Sequence, residues 1–119
     1  MEFNDYYWHD SVIKKIEIDR EESRERDTIS FHIEWYNNEN SKLIFKDVYQ
    51  AKLNMNFGIR GIESIYSAFV SEDDPDLAKF YKIWKGLMDD VKLNCYIIET
   101  ASTGSKLKII AKGFEMITI

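Results

Sequence analysis

The residues of this chain that could do chemistry together are His9, Asp10 and Ser11, which stand directly before a predicted strand. A histidine, a carboxylate and a hydroxyl are the groups of a hydrolytic triad, but a triad needs them to converge in space. Neighbours at the entry of a strand point to alternating faces, so their adjacency argues against a triad. We favour a structural interpretation, in which two aromatic side chains of residues 6–8 are buried and Asp10 and Ser11 hold a turn.

Other reactive patterns are weak. Neither His9 nor His32 stands at helical spacing from a second ligand type, so we predict no metal, cofactor or catalytic residue. The run Gly58-Ile59-Arg60-Gly61 lacks the Lys-Ser/Thr pair of a phosphate-binding loop. Acid–base catalysis by paired carboxylates remains an alternative, because three acidic side chains on two predicted strands could face one another: Glu17, Asp19 and Glu34.

The charge balance favours a basic partner. The chain has 16 Lys and Arg against 21 Asp and Glu, a net charge of −5, which opposes docking on nucleic acid or an anionic membrane. Acidic groups are densest in residues 19–27 and 72–76, although a solvated loop is the plainer interpretation of each run. The candidate partner-binding residues are Glu21, Glu22, Glu25, Glu72, Asp73 and Asp76.

Length and composition indicate one domain over residues 1–119. The chain has no signal-like or membrane-length apolar run, so we expect a cytoplasmic protein, monomeric or a weak homodimer. Its 45% hydrophobic and 14% aromatic residues supply a core without a disulfide or metal. The single cysteine, Cys95, has apolar alternate neighbours and is predicted to be a buried thiol in a reducing compartment.

Alternating apolar residues predict most of the strands. Residues 28–35 place Ile29, Phe31, Ile33 and Trp35 on one face, and the polar turn 36–41 then predicts a hairpin into a strand at 42–46. Further strands are predicted at 12–19, 51–57, 63–70 and 92–100, and residues 105–119 form one long or two short strands with a break near Gly113. Residues 63–70 could also be helical, but their β-branched and aromatic residues favour a strand.

One helix is predicted, over residues 75–88. Asp74 suits the N-cap and Pro75 the first helical position, and the acidic residues beside them also suit the positive end of the helix dipole. An apolar stripe follows at helical spacing: Leu77, Phe80, Tyr81, Trp84, Leu87 and Met88. We therefore predict an α+β domain, a mostly antiparallel sheet of about six to eight strands packed by this helix, with Trp84 among the most buried residues.

An aromatic-His-Asp-small segment stands before a strand that ends in an Asp-Arg pair, and further short motifs follow it along the chain. The segments concerned are Trp8–Ile13, Ile16–Arg20, Glu34-Trp35, Leu43–Val48, Ala51–Gly58 and Ser102–Lys106. In these segments the chain resembles the small bacterial immunity proteins of polymorphic toxin systems, to which such an opening is common. These motifs are structural and transfer no catalytic role to any residue.

The resemblance implies an antidote that neutralises a toxin by binding and occluding it, without catalysis. The net charge fits a basic toxin, such as a nuclease. Two alternatives remain: a small hydrolase-like enzyme with a cleft near His9, and a structural subunit that oligomerises through an edge strand. A deep pocket with convergent polar groups would favour the enzyme, whereas a filled core and a flat acidic face would favour the antidote.

Overall fold

A computed structural model describes residues 1–21, 27–58, 61–87 and 90–119. Six strands and one helix form the α+β architecture that the sequence predicts. A short 3-10 helix at Phe3–Asp5 precedes them. The elements are β1 (Val12–Asp19), β2 (Thr28–Glu34), β3 (Asn40–Asn54), β4 (Ile65–Ser71), α1 (Pro75–Ile83), β5 (Asn94–Thr100) and β6 (Lys106–Thr118).

All six strands form one antiparallel sheet in the order β1-β2-β3-β6-β5-β4. The two outer strands meet again at their starts, where Val12 bridges Ser64 and the Ile65 amide donates to the Ser11 carbonyl oxygen at 2.7 Å. The Ile13 amide likewise donates to the Glu63 carbonyl oxygen at 3.0 Å. Within the described ranges, the sheet therefore curls into a barrel whose closing contacts lie at this point.

The inner face of the curled sheet holds the main core. The faces predicted for residues 28–35 are confirmed, since Ile29, Phe31 and Ile33 are buried and Trp35 packs half-buried against them. Aromatic rings fill the middle, with Phe31 edge-on to Phe45 at a centroid distance of 5.7 Å. The remaining buried members come from β3, β4, β5, β6 and the amino-terminal segment: Phe3, Trp8, Leu43, Ile65, Tyr96, Ile98, Leu107, Ile109 and Ala111.

The two strands predicted at 42–46 and 51–57 are one strand, β3. Asp47 has a positive φ of 53°, and the pairing of β3 with β6 shifts register between Val48 and Gln50, so a bulge interrupts the alternation without ending the strand. The alternation of residues 51–57 predicts that Ala51 and Phe57 are buried inside, but both are exposed. Phe57 follows the end of β3, and Ala51 lies on the part of its inner face that the sheet leaves open.

The helix begins as predicted and ends early. The Asp76 amide donates to the capping Asp74 carboxylate at 2.8 Å, and Pro75 opens the first turn. Buried Leu77 and Phe80 pack against a second apolar cluster on the outer face of β5 and β6: Leu93, Cys95, Ile97 and Ile110. Burial of this cluster confirms the prediction for the thiol of Cys95 and raises its pKa to about 11.

The prediction that Trp84 is deeply buried is wrong. α1 ends at Ile83, Trp84 is its C-cap, and Gly86 then turns the chain with a φ of +88°. Trp84 is 47% exposed and Leu87 is 75% exposed, because the helical spacing of the apolar stripe continues where the helix does not. Met88, the last residue predicted for the stripe, lies outside the described residues.

Candidate partner-binding surface

Trp8 anchors the segment that carries His9, Asp10 and Ser11. Its indole Nε1 donates to the Phe3 carbonyl oxygen at 2.8 Å, and its ring packs on Phe3 at 4.6 Å and on Trp35 at 5.3 Å. The Ser11 hydroxyl is buried and donates to the Trp8 carbonyl oxygen at 2.6 Å. Ser11 therefore holds the turn before β1, as predicted, whereas the Asp10 carboxylate contacts His9 instead. The prediction of two buried aromatic side chains holds fully for Trp8 alone, since Tyr6 is half-buried and Tyr7 is exposed.

His9 and Asp10 point away from Ser11. The His9 Nδ1 lies 3.2 Å from an Asp10 carboxylate oxygen, and both side chains are exposed. Asp10 has a positive φ of 68°, a conformation that Asp tolerates better than most residues. Because the serine hydroxyl is committed to a backbone carbonyl, the three groups do not form the hydrogen-bonded chain of a triad.

Three exposed tyrosines surround this turn. Because Trp8 points into the core, its neighbours Tyr7 and His9 point outward. Tyr7 contacts Tyr36 edge-on at 4.9 Å, and His9 contacts Tyr66 at 6.0 Å. The three tyrosines are 60%, 63% and 60% exposed in chain order. We call Tyr7, His9, Tyr36 and Tyr66 the tyrosine surface.

A rigid layer lies beneath the tyrosine surface. Tyr6 stacks on Trp35 at 5.7 Å with the rings 14° from parallel, and it also contacts Trp8. The Trp35 indole donates to the Ser41 hydroxyl at 2.8 Å. Exposed tyrosines on a fixed base keep few rotamers to lose on binding, which favours recognition of another protein.

The sequence pattern does not reveal this surface. Tyr66 alternates with buried Ile65, which places it outside, but Tyr36 sits in a polar turn and Tyr7 in an aromatic run. Only the closure of the sheet between residues 12 and 64 brings the three positions together. The one available signal in the sequence is the alternation that places a strand residue on the exposed face, and it applies to Tyr66 alone.

The acidic residues after β4 are partly committed to contacts within the chain. Glu72 lies 3.5 Å from the Lys92 ammonium, and the Asp73 carboxylate accepts from the Ser71 hydroxyl at 2.8 Å. Both acidic side chains remain exposed and can face a partner.

Asp76 has a structural role in an ion-pair network. Its carboxylate accepts from Lys108 at 2.9 Å and from Lys52 at 3.0 Å, which ties α1 to β6 and β3. Lys108 also lies 3.1 Å from both carboxylate oxygens of Asp74. The hydrogen bonds from Lys108 and Lys52 lower the pKa of Asp76 to about 2. The hydrogen bond that Lys108 donates to Asp76 in turn raises the pKa of Lys108. The negative charge of Asp76 is therefore compensated by lysines of the protein itself.

Those predicted acidic groups that the structure describes do not form one surface. Glu21 is exposed just beyond β1, and its amide donates to the Asp19 carboxylate at 3.0 Å. β1 and β4 run in opposite directions from the bridge between Val12 and Ser64, so Glu21 and the residues after β4 lie toward opposite ends of the molecule. Glu22 and Glu25 lie outside the described residues.

A polar cleft of about 820 Å³ lies beside the acidic loop, by which we mean the segment after β4 that carries Glu72 and Asp73. Buried Tyr96 lines it, and burial raises the pKa of its hydroxyl. The charged side chains around it are of both signs: Glu2, Glu72, Asp90, Lys92 and Lys112. His9 does not line this cleft, so the pocket and the histidine of the enzyme alternative are separate.

Comparison with known proteins assigns no relative, since no family model matches the chain and no curated protein is significantly similar to it. Within the described ranges, His, Cys, Asp and Glu side chains nowhere form a group of three that could hold a metal ion. No helix in this part of the chain is long and apolar enough to cross a membrane.

Proposed function

We propose that the protein is a binding module, an immunity protein that neutralises a toxin by occluding it through the tyrosine surface. The observation that carries the proposal is the exposure of three tyrosines on a fixed aromatic base. Tyrosine is enriched at the centres of protein interfaces because it buries a large area, loses little conformational entropy and keeps a hydroxyl to hydrogen-bond.

Charge supports a basic toxin as the partner. The net charge is −5, and Glu72 and Asp73 remain exposed beside the polar cleft. Such charges speed diffusional encounter with a cationic protein, while desolvated aromatic contacts hold the complex once it has formed. The resemblance to immunity proteins of polymorphic toxin systems supports the same assignment.

The test uses the product of the adjacent reading frame. We expect it to arrest growth when expressed alone and to be neutralised by this protein. Replacing Tyr36 or Tyr66 by Ala should each weaken binding by about 2 kcal/mol, roughly thirtyfold in Kd by calorimetry. Ile83→Ala, at a comparably exposed apolar position on α1, is the matched control and should leave Kd unchanged.

Two outcomes would contradict the proposal. If folded Tyr36→Ala and Tyr66→Ala proteins bind as tightly as the wild type, the tyrosine surface is not the interface. If the conservative change His9→Gln abolishes protection while binding and stability are retained, the imidazole acts chemically and the enzyme alternative is favoured. If the protein is an antidote, protection by the His9→Gln protein should follow its affinity for the toxin, and we expect both to be largely retained.

A further inference from the structure

An apolar groove runs between β1 and the second half of β3. Two clefts, of about 540 Å³ and 310 Å³, share Ile18 and Leu53 as lining residues and therefore adjoin each other along the groove. Most of the other apolar side chains that line it come from β1, β3 and the chain that follows β3: Ile13, Ile16, Val48, Met55, Phe57 and Ile62.

The groove exists because β2 is shorter than its neighbour. β2 starts at Thr28, whereas β3 continues through Asn54. In the described part of the chain, β3 beyond Val48 pairs with β6 alone, and β1 beyond Ile13 pairs with β2 alone. Both strands therefore present a free edge of backbone donors and acceptors to the groove. Such edges are templates for a further strand.

Ile18 shows that the described residues leave this region uncovered. Its pairing with Ile29 places it on the inner face of the sheet, yet it is 56% exposed. Ala51, opposite buried Ile109 on β6, is exposed for the same reason. An inner-face isoleucine open to solvent gains from any apolar segment that covers it.

A carboxylate stands near each end of the groove. Glu63 lies beside Ile13, and its Oε1 is buried with no hydrogen-bond partner among the described residues, while its other oxygen accepts from Thr103 at 2.6 Å. Asp27 adjoins the other end, and its Oδ1 is likewise buried with no hydrogen-bond partner among the described residues, while its Oδ2 lies 3.7 Å from the Arg20 Nε. From Ile13 to Asp19 the strand rises about 20 Å, at about 3.3 Å per residue. A buried, unpaired carboxylate oxygen is stabilised by a cationic donor.

We propose that this groove binds an extended segment of a partner protein as an added strand, with apolar side chains at alternate positions and a cationic side chain near each end. Free backbone edges supply the hydrogen bonds, the apolar floor accepts alternate side chains, and the carboxylates select the cations. The site is separate from the tyrosine surface and does not depend on the partner being a toxin.

A synthetic heptapeptide, N-acetylated and C-amidated Lys-Thr-Val-Thr-Val-Thr-Lys, is the probe. Its lysines and valines all stand at odd positions, so an extended strand places them on one face, toward the groove. The lysines are six residues apart, which matches the rise of β1 from Ile13 to Asp19. Titration followed by NMR should shift the amide signals of residues 14–19 and 50–54. The peptide Lys-Thr-Val-Pro-Val-Thr-Lys has the same charge but lacks a central amide donor, and it should bind at least about tenfold more weakly.

Matched variants localise the site. Ile18→Lys places a charge in the groove at an exposed position and should weaken heptapeptide binding at least about tenfold. Ile117→Lys, at an exposed isoleucine on β6, should leave it unchanged. Equal binding of the two peptides, or shifts confined to other residues, would overturn the proposal. It is also overturned if sedimentation shows a dimer that Ile18→Lys dissociates, since a second copy then fills the groove. The titration contains no toxin, so its failure leaves the proposed function standing.

Discussion

Trp8 links the candidate surface to the core, because one side chain both fills the barrel and fixes the turn that carries Tyr7 and His9. It packs between Phe3 and Trp35, and its indole nitrogen and its own carbonyl oxygen are both hydrogen-bonded. Interfaces whose aromatic groups are held in place before binding lose less entropy in the complex. The recognition chemistry that we propose therefore depends on a residue that the partner does not touch.

We expect Trp8→Ala to lower the free energy of unfolding by about 3–5 kcal/mol, because it leaves a cavity and an unpaired carbonyl of Phe3. Trp84→Ala is the comparison, and its cost should be about 1 kcal/mol or less, since that indole is half-exposed at the end of α1. Urea denaturation of the two variants checks both values. Equal losses would contradict the burial that distinguishes the two tryptophans.

At the scale of elements, the ion-pair network fixes α1 to the sheet. The helix has only two buried side chains, Leu77 and Phe80, so polar contacts at its first turn matter for its position. Lys108 reaches both Asp74 and Asp76 from the adjacent strand. These pairs are only partly exposed, which makes them stronger than ordinary surface ion pairs.

Asp76→Asn should destabilise the protein by about 1 kcal/mol at pH 7. The folded pKa of about 2 is below the unfolded value of about 3.9, so the contribution is present above pH 4 and is lost as the pH falls through about 2. The difference in urea midpoint between wild type and variant should therefore vanish near pH 2. Glu72→Gln is the control, because its exposed pair with Lys92 should change stability by less than about 0.5 kcal/mol. A difference that persists unchanged at pH 2 would refute the role of Asp76.

Local patterns predicted the elements where neighbours in sequence decide them. The bounds of β1 match the prediction, β4 is confirmed as a strand, and α1 starts where Asp74 and Pro75 indicate. The predictions failed where contacts between residues distant in sequence determine whether a side chain is buried. The stripe through Trp84 and Leu87 is apolar and correctly spaced, but no part of the described sheet reaches far enough to cover it.

At the scale of the whole molecule, incomplete closure of the barrel explains where apolar side chains are exposed. The sheet closes only at the start of β1 and β4, which gathers the tyrosine surface there and leaves the groove open beyond it. Neither feature is visible in a local pattern, because each depends on strands that are separated in sequence. The same topology places Glu21 and the residues after β4 toward opposite ends of the molecule, which sequence density alone did not indicate.

The acidic loop after β4 is therefore the segment of acidic sequence that we expect to steer a basic partner. With a cationic toxin, the association rate should fall steeply as salt rises from about 0.01 to 0.15 M, where the screening length shortens from about 30 to 8 Å. Replacing Glu72 and Asp73 by Lys, while keeping the cap Asp74, should slow association about tenfold at low salt and leave the dissociation rate nearly unchanged.

A second double reversal separates the loop from net charge. Glu17→Lys with Glu115→Lys changes the net charge equally on exposed strand positions away from the loop. Stopped-flow kinetics should show a smaller loss of association rate for this pair, because steering depends on charge close to the contact surface. If the association rate changes neither with salt nor with the charge reversal at Glu72 and Asp73, electrostatic steering by the loop is excluded. The tyrosine surface would then have to determine the association rate as well as the affinity.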